Sequence, residues 1–209
     1  MGFILEVKGE YACFTRPEMK VERVSYPVIT PSAARAIFSA ILWKPAIAWC
    51  IDKIEILNPI EWASVRRNEV GVKMSERSEG IYIEDHRQQR ATLMLRDVAY
   101  RLHAHFEMTE HAGPSDSSQK FAEMFRRRAS KGQCFYQPYL GTREFACAFR
   151  LIEDLSQEPA ALDINENFGF MLYDMDFTQP DNPQAMFYQA RAKNGVIQVP
   201  AVTSEEVKR

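Results

Sequence analysis

The chain has 209 residues, enough for one large domain or one domain with a substantial appendage. Apolar residues make up 46% and charged residues 26%, proportions that exclude a disordered chain and a membrane-embedded one. A formal net charge of -2 supplies no global basic field, so affinity for a polyanion must come from basic groups gathered on one face.

Phe3, Leu5 and Val7 alternate with Ile4, Glu6 and Lys8, which predicts a first strand ending near Gly9. Pro31 and Ser32 then open a helix in which Ala34, Ile37, Phe38, Ile41 and Leu42 recur at helical spacing, and Pro45 closes it. The β-branched and aromatic run AIAWCIDKIEIL predicts a second strand, with Trp43 and Trp49 as core anchors. A polar, weakly patterned insertion occupies about residues 60–90. After it, ATLMLRDVAYRLHAHFEM predicts a long strand with Val98, Tyr100, Leu102, Ala104 and Phe106 on one face. A second helix runs from Ser118 to about Lys131 and ends at Gly132, and FACAFRLI makes the next strand. FGFMLYDMDF, AMFYQARA and VIQVP read as further strands, the last two joined by a type I′ turn at Asn194-Gly195.

Strand, helix, strand, strand, helix, strand is the ferredoxin-like (RRM-like) βαββαβ order. The fold expected is therefore α+β: a ferredoxin-like domain over residues 1–152, with a long hairpin insertion, and a small C-terminal antiparallel β-sheet with its tail over 153–209.

Cys13, Cys50, Cys134 and Cys147 are scattered, without CxxC or Cys/His ligand spacing, and read as reduced residues of a cytoplasmic protein. No apolar run approaches the roughly 20 residues that cross a bilayer, and no signal peptide is evident. Phosphate-binding glycine loops, nucleophile elbows and HExxH are missing from the sequence, so neither a cofactor nor a metal is expected. His103 and His105 share one side of a strand, as do Asp174 and Asp176, and both pairs read as wet-face residues.

Chemistry that suits RNA is concentrated elsewhere. The helix KFAEMFRRR leads into KGQCFYQPYLGTREF, which interleaves Phe135, Tyr136 and Tyr139 with Lys131 and Arg143. Cations attract phosphates and aromatic faces stack on unpaired bases. The bland alternative is a solvated helix followed by an apolar turn that plugs the core. Arg16, Lys20 and Arg23 lie among Tyr11, Phe14 and Tyr26, Arg66 and Arg67 begin the insertion, and Arg126, Arg127 and Arg128 end the second helix. Together these groups outline a basic footprint, although the sheet lacks the aromatic signature of an RNA-recognition motif.

The strings GEYACFTRPEMKVERVSYPVITPSAAR, ILWKPAI, RRNEV, QQRATLML, AHFEM, KGQCFYQPYLGTREF and NGVIQVP resemble the CRISPR-associated Cas-five family of type I-C systems, over essentially the whole chain. The resemblance implies a ferredoxin-like domain with a protruding hairpin and a small C-terminal sheet. It also implies cutting of precursor CRISPR repeat RNA, retention of the mature 5′ handle, and assembly with other type I-C Cascade subunits in antiviral defence. The implied chemistry needs no metal: a 2′-hydroxyl attacks the adjacent phosphate, with acid/base help and a cation on the developing oxyanion. The family credits a Tyr or His just before the Trp-Lys-Pro and a Lys-His pair opening the second helix. Leu42 stands at the first position and Lys120-Phe121 at the second, so the lysine is kept and both proton-transfer groups are replaced. Tyr26, Tyr136, His111 and the His103/His105 pair are the alternatives for proton transfer. A non-catalytic handle-binding subunit, or a metal-dependent DNA nuclease using Asp174 and Asp176, are the rival readings.

Overall fold

The computed structural model describes residues 2–19, 21–77, 80–179 and 181–209. Lys20, expected in the RNA-facing set, lies outside the described residues. The fold is α+β, built on one nine-stranded, mostly antiparallel sheet. Its first half comprises β1 (Gly2–Ala12), the two-residue β2 (Arg23–Val24), α1 (Pro31–Ile41), β3 (Ile47–Ile56), β4 (Glu61–Val70), the short α2 (Ile83–His86) and β5 (Arg87–Met108). There follow α3 (Ser118–Ser130), β6 (Ala148–Ile152), β7 (Glu166–Asp176), β8 (Gln184–Lys193) and β9 (Val196–Gln198). The strand order is β6-β1-β5-β3-β9-β8-β7, with β2 and β4 paired to β5 off that path.

Period-2 patterning sends Phe3, Leu5 and Val7 of β1, Trp49 and Ile51 of β3, and Tyr100, Leu102 and Ala104 of β5 into the core. Two helical stripes meet them: Ala34, Ile37, Phe38 and Ile41 from α1, and Phe121, Ala122, Phe125 and Ala129 from α3. Their centre is an aromatic knot. The Phe125 ring lies 4.8 Å from Phe3 and 4.7 Å from Trp49, and Phe38 lies 5.0 Å from Trp49. These spacings fall within the range where tilted and edge-on rings attract. Side-chain oxygens of Thr30 and Ser117 cap the two helices, accepting from Ala33 N and Lys120 N.

The insertion is a hairpin. β4 pairs with the first part of β5, from Glu61 opposite Arg96 to Val70 opposite Arg87, while β3 pairs with the second part, from Ile56 opposite Tyr100 to Ile47 opposite Met108. Asp97 marks the joint, with φ of 50° and its carbonyl accepting from Asn58 Nδ2 at 2.7 Å. One long strand thereby belongs to the sheet at one end and to a projecting arm at the other.

The C-terminal strands correct the expectation of a separate small sheet. β9 pairs with both β3 and β8, so β7 and β8 extend the main sheet through three residues. The Asn194-Gly195 turn sits where its sequence places it, with φ of 50° and 73°. A Cβ on Gly195 would meet the Leu162 carbonyl oxygen at 2.1 Å, which is why the second position is glycine.

The sheet face turned away from α1 and α3 carries a charged layer. Arg101 is buried there, donating to Glu55 Oε2 at 2.6 Å and to the Pro159 carbonyl at 2.9 Å. Burial alone would raise the Glu55 pKa, but hydrogen bonds from Lys53 and Arg101 hold it below its ordinary value. No helix among the described residues is long and apolar enough to cross a membrane.

Candidate functional site

The end of α1 organises the site. Pro45 has no N–H to give the Ile41 carbonyl, and its ring would clash with it, so the helix stops at Ile41. The freed carbonyls find other donors: Ala40 O accepts from Phe135 N at 2.7 Å, Ile41 O from Arg128 Nη1 at 3.0 Å, and Leu42 O from Trp49 Nε1 at 2.8 Å. Three distant segments are thereby fastened to one helix terminus. Arg128, expected to face RNA, is half-buried and committed to this cap.

Beyond the cap the chain turns outward. Trp43 is 64% exposed, which corrects its assignment as a core anchor. Lys44 and Pro45 are exposed beside it, and the turn docks on the β5–α3 connection: Thr109 N donates to Ala46 O, and Thr109 Oγ1 donates to Pro45 O at 2.6 Å. His111 is exposed on that connection, its N–H donating to Thr109 Oγ1. The same connection carries Asp116, which accepts from Gly113 N at 3.1 Å and from Lys120 Nζ at 3.1 Å. The Gly113 N–H and then the Lys120 ammonium hold the Asp116 carboxyl below its ordinary pKa. Lys120 also reaches the Ser115 carbonyl, and about half of its side chain is open to solvent. The N-terminus of α3 thus presents an ammonium, an imidazole on the preceding turn, and an exposed indole with a second lysine on the facing turn.

The two positions that the family resemblance credits with proton transfer are packed. Leu42 is 0% exposed and Phe121 is 3% exposed. Tyr26 is buried as well, at 2%, beneath the Arg16 guanidinium 4.9 Å from its ring, and burial pushes its phenol pKa up. Its hydroxyl is engaged by the Leu172 backbone, away from solvent. Tyr136 is exposed, with partial burial raising its pKa.

The segment from Lys131 to Phe145 divides in two. Gln133, Phe135 and Tyr136 stand in solvent, Phe135 at 84% exposure. From Pro138 onward the loop is a plug: Leu140 is buried and its carbonyl accepts from Cys13 N, while Leu140 N donates to Phe145 O. Gly141 makes the plug possible, with φ of 86° and a Cys13 carbonyl oxygen 2.0 Å from where a Cβ would stand. The first half of the loop is thus exposed and the second half fills the core, and Tyr139 belongs to the half-buried part.

Among the basic residues, Arg127, Lys131 and Arg143 are exposed and pair with no acid among the described residues. Arg126 is exposed with its guanidinium 5.4 Å over the Phe3 ring. Arg23 is shared between Glu69 and Glu144, Arg67 pairs with Glu144, and Arg16 lies 3.9 Å from Glu18. The Arg23 and Arg67 pairs tie the hairpin arm to the loops at its base, while the Arg16 pair is local to its own loop. The wet-face reading fails for His103, which is mostly buried with Nε2 2.8 Å from Glu55 Oε1, and burial first, then Lys53, holds its pKa down. Asp174 binds Arg35 through both oxygens, at 2.8 and 3.0 Å, and Asp176 faces Arg209. Both acids of the DNA-nuclease reading are thus paired with protein cations.

Sequence reasoning gave no role to Lys44 and Asp116 and placed Trp43 in the core. The signal for Trp43 was available: the apolar stripe of α1 runs through Ala34, Ile37, Phe38 and Ile41, and position 43 falls off it.

Comparison with known proteins gives the family. A profile of the CRISPR-associated protein (Cas_Cas5) family matches residues 2–200. A relative from Mannheimia succiniciproducens, named CRISPR pre-crRNA endoribonuclease Cas5d, is 53% identical over 98% of this chain and 97% of its own. A Thermus thermophilus protein of the same name is 40% identical over 98% of this chain and 94% of its own. A crystal structure of a CRISPR-associated protein superimposes with a TM-score of 0.75 at 23% identity, covering 100% of this chain and 97% of the other. A chain of a CRISPR RNA-guided surveillance complex gives 0.58 at 13% identity, covering 94% and 91%; likenesses this remote speak to fold alone. The profile and both full-length relatives agree, and the chain belongs to the CRISPR-associated Cas5 family.

Proposed function

We propose that this chain is an endoribonuclease that cuts precursor CRISPR repeat RNA and remains on the 5′ handle as a Cascade subunit in antiviral defence, in the cytoplasm. The observation that carries the reading is 53% identity, over nearly the full length of both chains, to a relative named as a pre-crRNA endoribonuclease. The strand order β6-β1-β5-β3, with α1 joining β1 to β3 and α3 joining β5 to β6, supports a ferredoxin-like core over 1–152 and a C-terminal unit over 153–209.

The α1–α3 junction is the proposed cutting site. In this reading the RNA 2′-oxygen attacks the adjacent phosphorus, the bond to the 5′-oxygen breaks, and a 2′,3′-cyclic phosphate and a 5′-hydroxyl result. Lys120 sits against the non-bridging oxygens, where negative charge grows. His111 brings an imidazole, the side chain suited to taking the 2′-hydroxyl proton and supplying one to the leaving oxygen near neutral pH. Trp43 offers a face for a flanking base. Incubating the purified protein with its own repeat RNA in EDTA tests the function: cutting at a single position is the expected result. A second reading, a handle-binding subunit that does not cut, is favoured by the burial of Leu42 and Phe121; tight binding without product would select it.

Affinity is assigned to the unpaired cations at the far end of α3. Lys120 and Lys131 are eleven residues apart, roughly 16 Å along a helix, so one strand can span both ends. Arg127→Ala with Lys131→Ala should flatten the salt dependence of RNA binding, by a slope of about 0.7 for each phosphate that is no longer neutralised. An unchanged slope removes this end of the helix from the RNA path. Arg128→Ala should instead lower thermal stability, because it strips the donor from the Ile41 carbonyl.

A further inference from the structure

A second group of reactive side chains lies on the β3–β5 pair. Cys50 and His105 are directly opposite in the antiparallel register, and Glu107 follows His105 on the same face of β5. The Cys50 sulfur, an imidazole nitrogen of His105 and a carboxylate oxygen of Glu107 all lie within 4.8 Å of one another. The ladder shifts between Ile51 and Lys53, and the residue at that shift, Asp52, places Oδ1 2.7 Å from His105 Nδ1. With Nδ1–H donating to Asp52, the lone pair of the ring is on Nε2, which faces Glu107 Oε1 at 3.8 Å. A carboxylate on one ring nitrogen that fixes the tautomer and aims the other is the usual support of a metal-binding histidine.

We propose that Cys50, His105 and Glu107 form a site for a divalent transition metal of the zinc class, with Asp52 orienting His105 and a fourth position open to water. The donor set decides the metal. A thiolate and an imidazole suit Zn²⁺ and Co²⁺, whereas Mg²⁺ and Ca²⁺ take oxygen ligands. Metal–ligand bonds of about 2.0–2.3 Å bring tetrahedral donors to roughly 3.5 Å apart. Glu107 is exposed and free to swing in, while Cys50 and His105 are held on neighbouring strands. Binding forms a metal–sulfur bond and releases the Cys50 thiol proton to solvent. Nothing in the sequence spacing announces the site, because its ligands meet only through strand pairing.

The test uses the full chain, untagged, titrated with Co²⁺ and then Zn²⁺. The expected result is one Co²⁺ per chain with a thiolate-to-cobalt charge-transfer band, displaced by Zn²⁺ and unaffected by excess Mg²⁺. Cys50→Ser abolishes the band, and Asp52→Asn weakens binding about 10- to 100-fold. Glu107→Gln, an exposed change that spares the fold, also weakens binding. A band that survives Cys50→Ser, a Co²⁺ spectrum without any thiolate band, or affinity unchanged by Glu107→Gln overturns the site.

Discussion

Lys120→Ala should lower single-turnover cutting of repeat RNA by about 10²- to 10³-fold, the range for removing one preorganised donor from a developing oxyanion. Affinity should change far less, because the cations at the opposite end of α3 stay in place. The expectation rests on the mounting of Lys120: its ammonium is steered by Asp116 and the Ser115 carbonyl, and Asp116 is fixed by Gly113 N. His111→Ala should cost about 10²- to 10⁴-fold on the same assay and remove a limb of the pH–rate profile, as loss of a general acid or base does. Asp116→Asn, which keeps the shape and removes the charge, should produce a smaller loss, since Lys120 keeps its carbonyl partner. Tyr136→Phe is the discriminating control. If it abolishes cutting while His111→Ala cuts normally, proton transfer belongs to the aromatic loop. If Lys120→Ala cuts at the unmodified rate, the α1–α3 junction is not the site.

What the sequence made legible follows from the range of the forces involved. The stripes of α1 and α3, the caps, and the Asn194-Gly195 turn are local patterns, and each lies where its residues place it; the alternation of β1 and β5 is also legible, but β1 runs past Gly9 to Ala12 and β5 begins at Arg87, ahead of Ala91. The insertion is harder to read because β4 alternates only between half-buried and exposed positions, and the arm of β5 is buried only near its base, at Thr92, Met94 and Leu95. Fates set by tertiary pairing were not legible. Arg128 and Arg127 are neighbours of the same type, yet one caps α1 and the other stands free, because helical spacing turns only Arg128 toward the Ile41 carbonyl. Tyr26 and Tyr136 look alike in composition, and tertiary pairing of the first one's segment, Tyr26 N with Phe14 O and Ser25 N with Leu93 O, holds it in the core. Strand β9 joins the C-terminal strands to β3 with three residues, too short a run to reveal its partner. The Cys50–His105 meeting depends on a register that no local motif encodes.

Leu42→Tyr with Phe121→His, which installs the side chains that the family resemblance credits, should destabilise the protein rather than speed it. Leu42 is fully buried, with its N–H on the Phe38 carbonyl and its own carbonyl under Trp49 Nε1, so the backbone there has little freedom to turn a phenol outward. Overpacking a close-packed core costs about 1–3 kcal/mol. Phe121 is part of the α3 stripe, and replacing it leaves an imidazole in an apolar site, where an unsatisfied polar group costs about 1–3 kcal/mol. The sum is a large share of the roughly 5–15 kcal/mol that holds a domain together. For a chain of this size it should lower Tm by about 2–4 °C per kcal/mol. The loss should deepen as pH falls. Burial disfavours the imidazolium, so the introduced group binds its proton more weakly folded than unfolded, and stability present above the unfolded value near pH 6.5 is lost below it. Melting the double variant and the unmodified protein between pH 8 and pH 5.5, beside single-turnover cutting of repeat RNA, tests the argument. A double variant that melts with the unmodified protein at every pH and cuts faster would mean that both positions open onto the RNA, and that the packing around Leu42 and Phe121 yields when RNA binds.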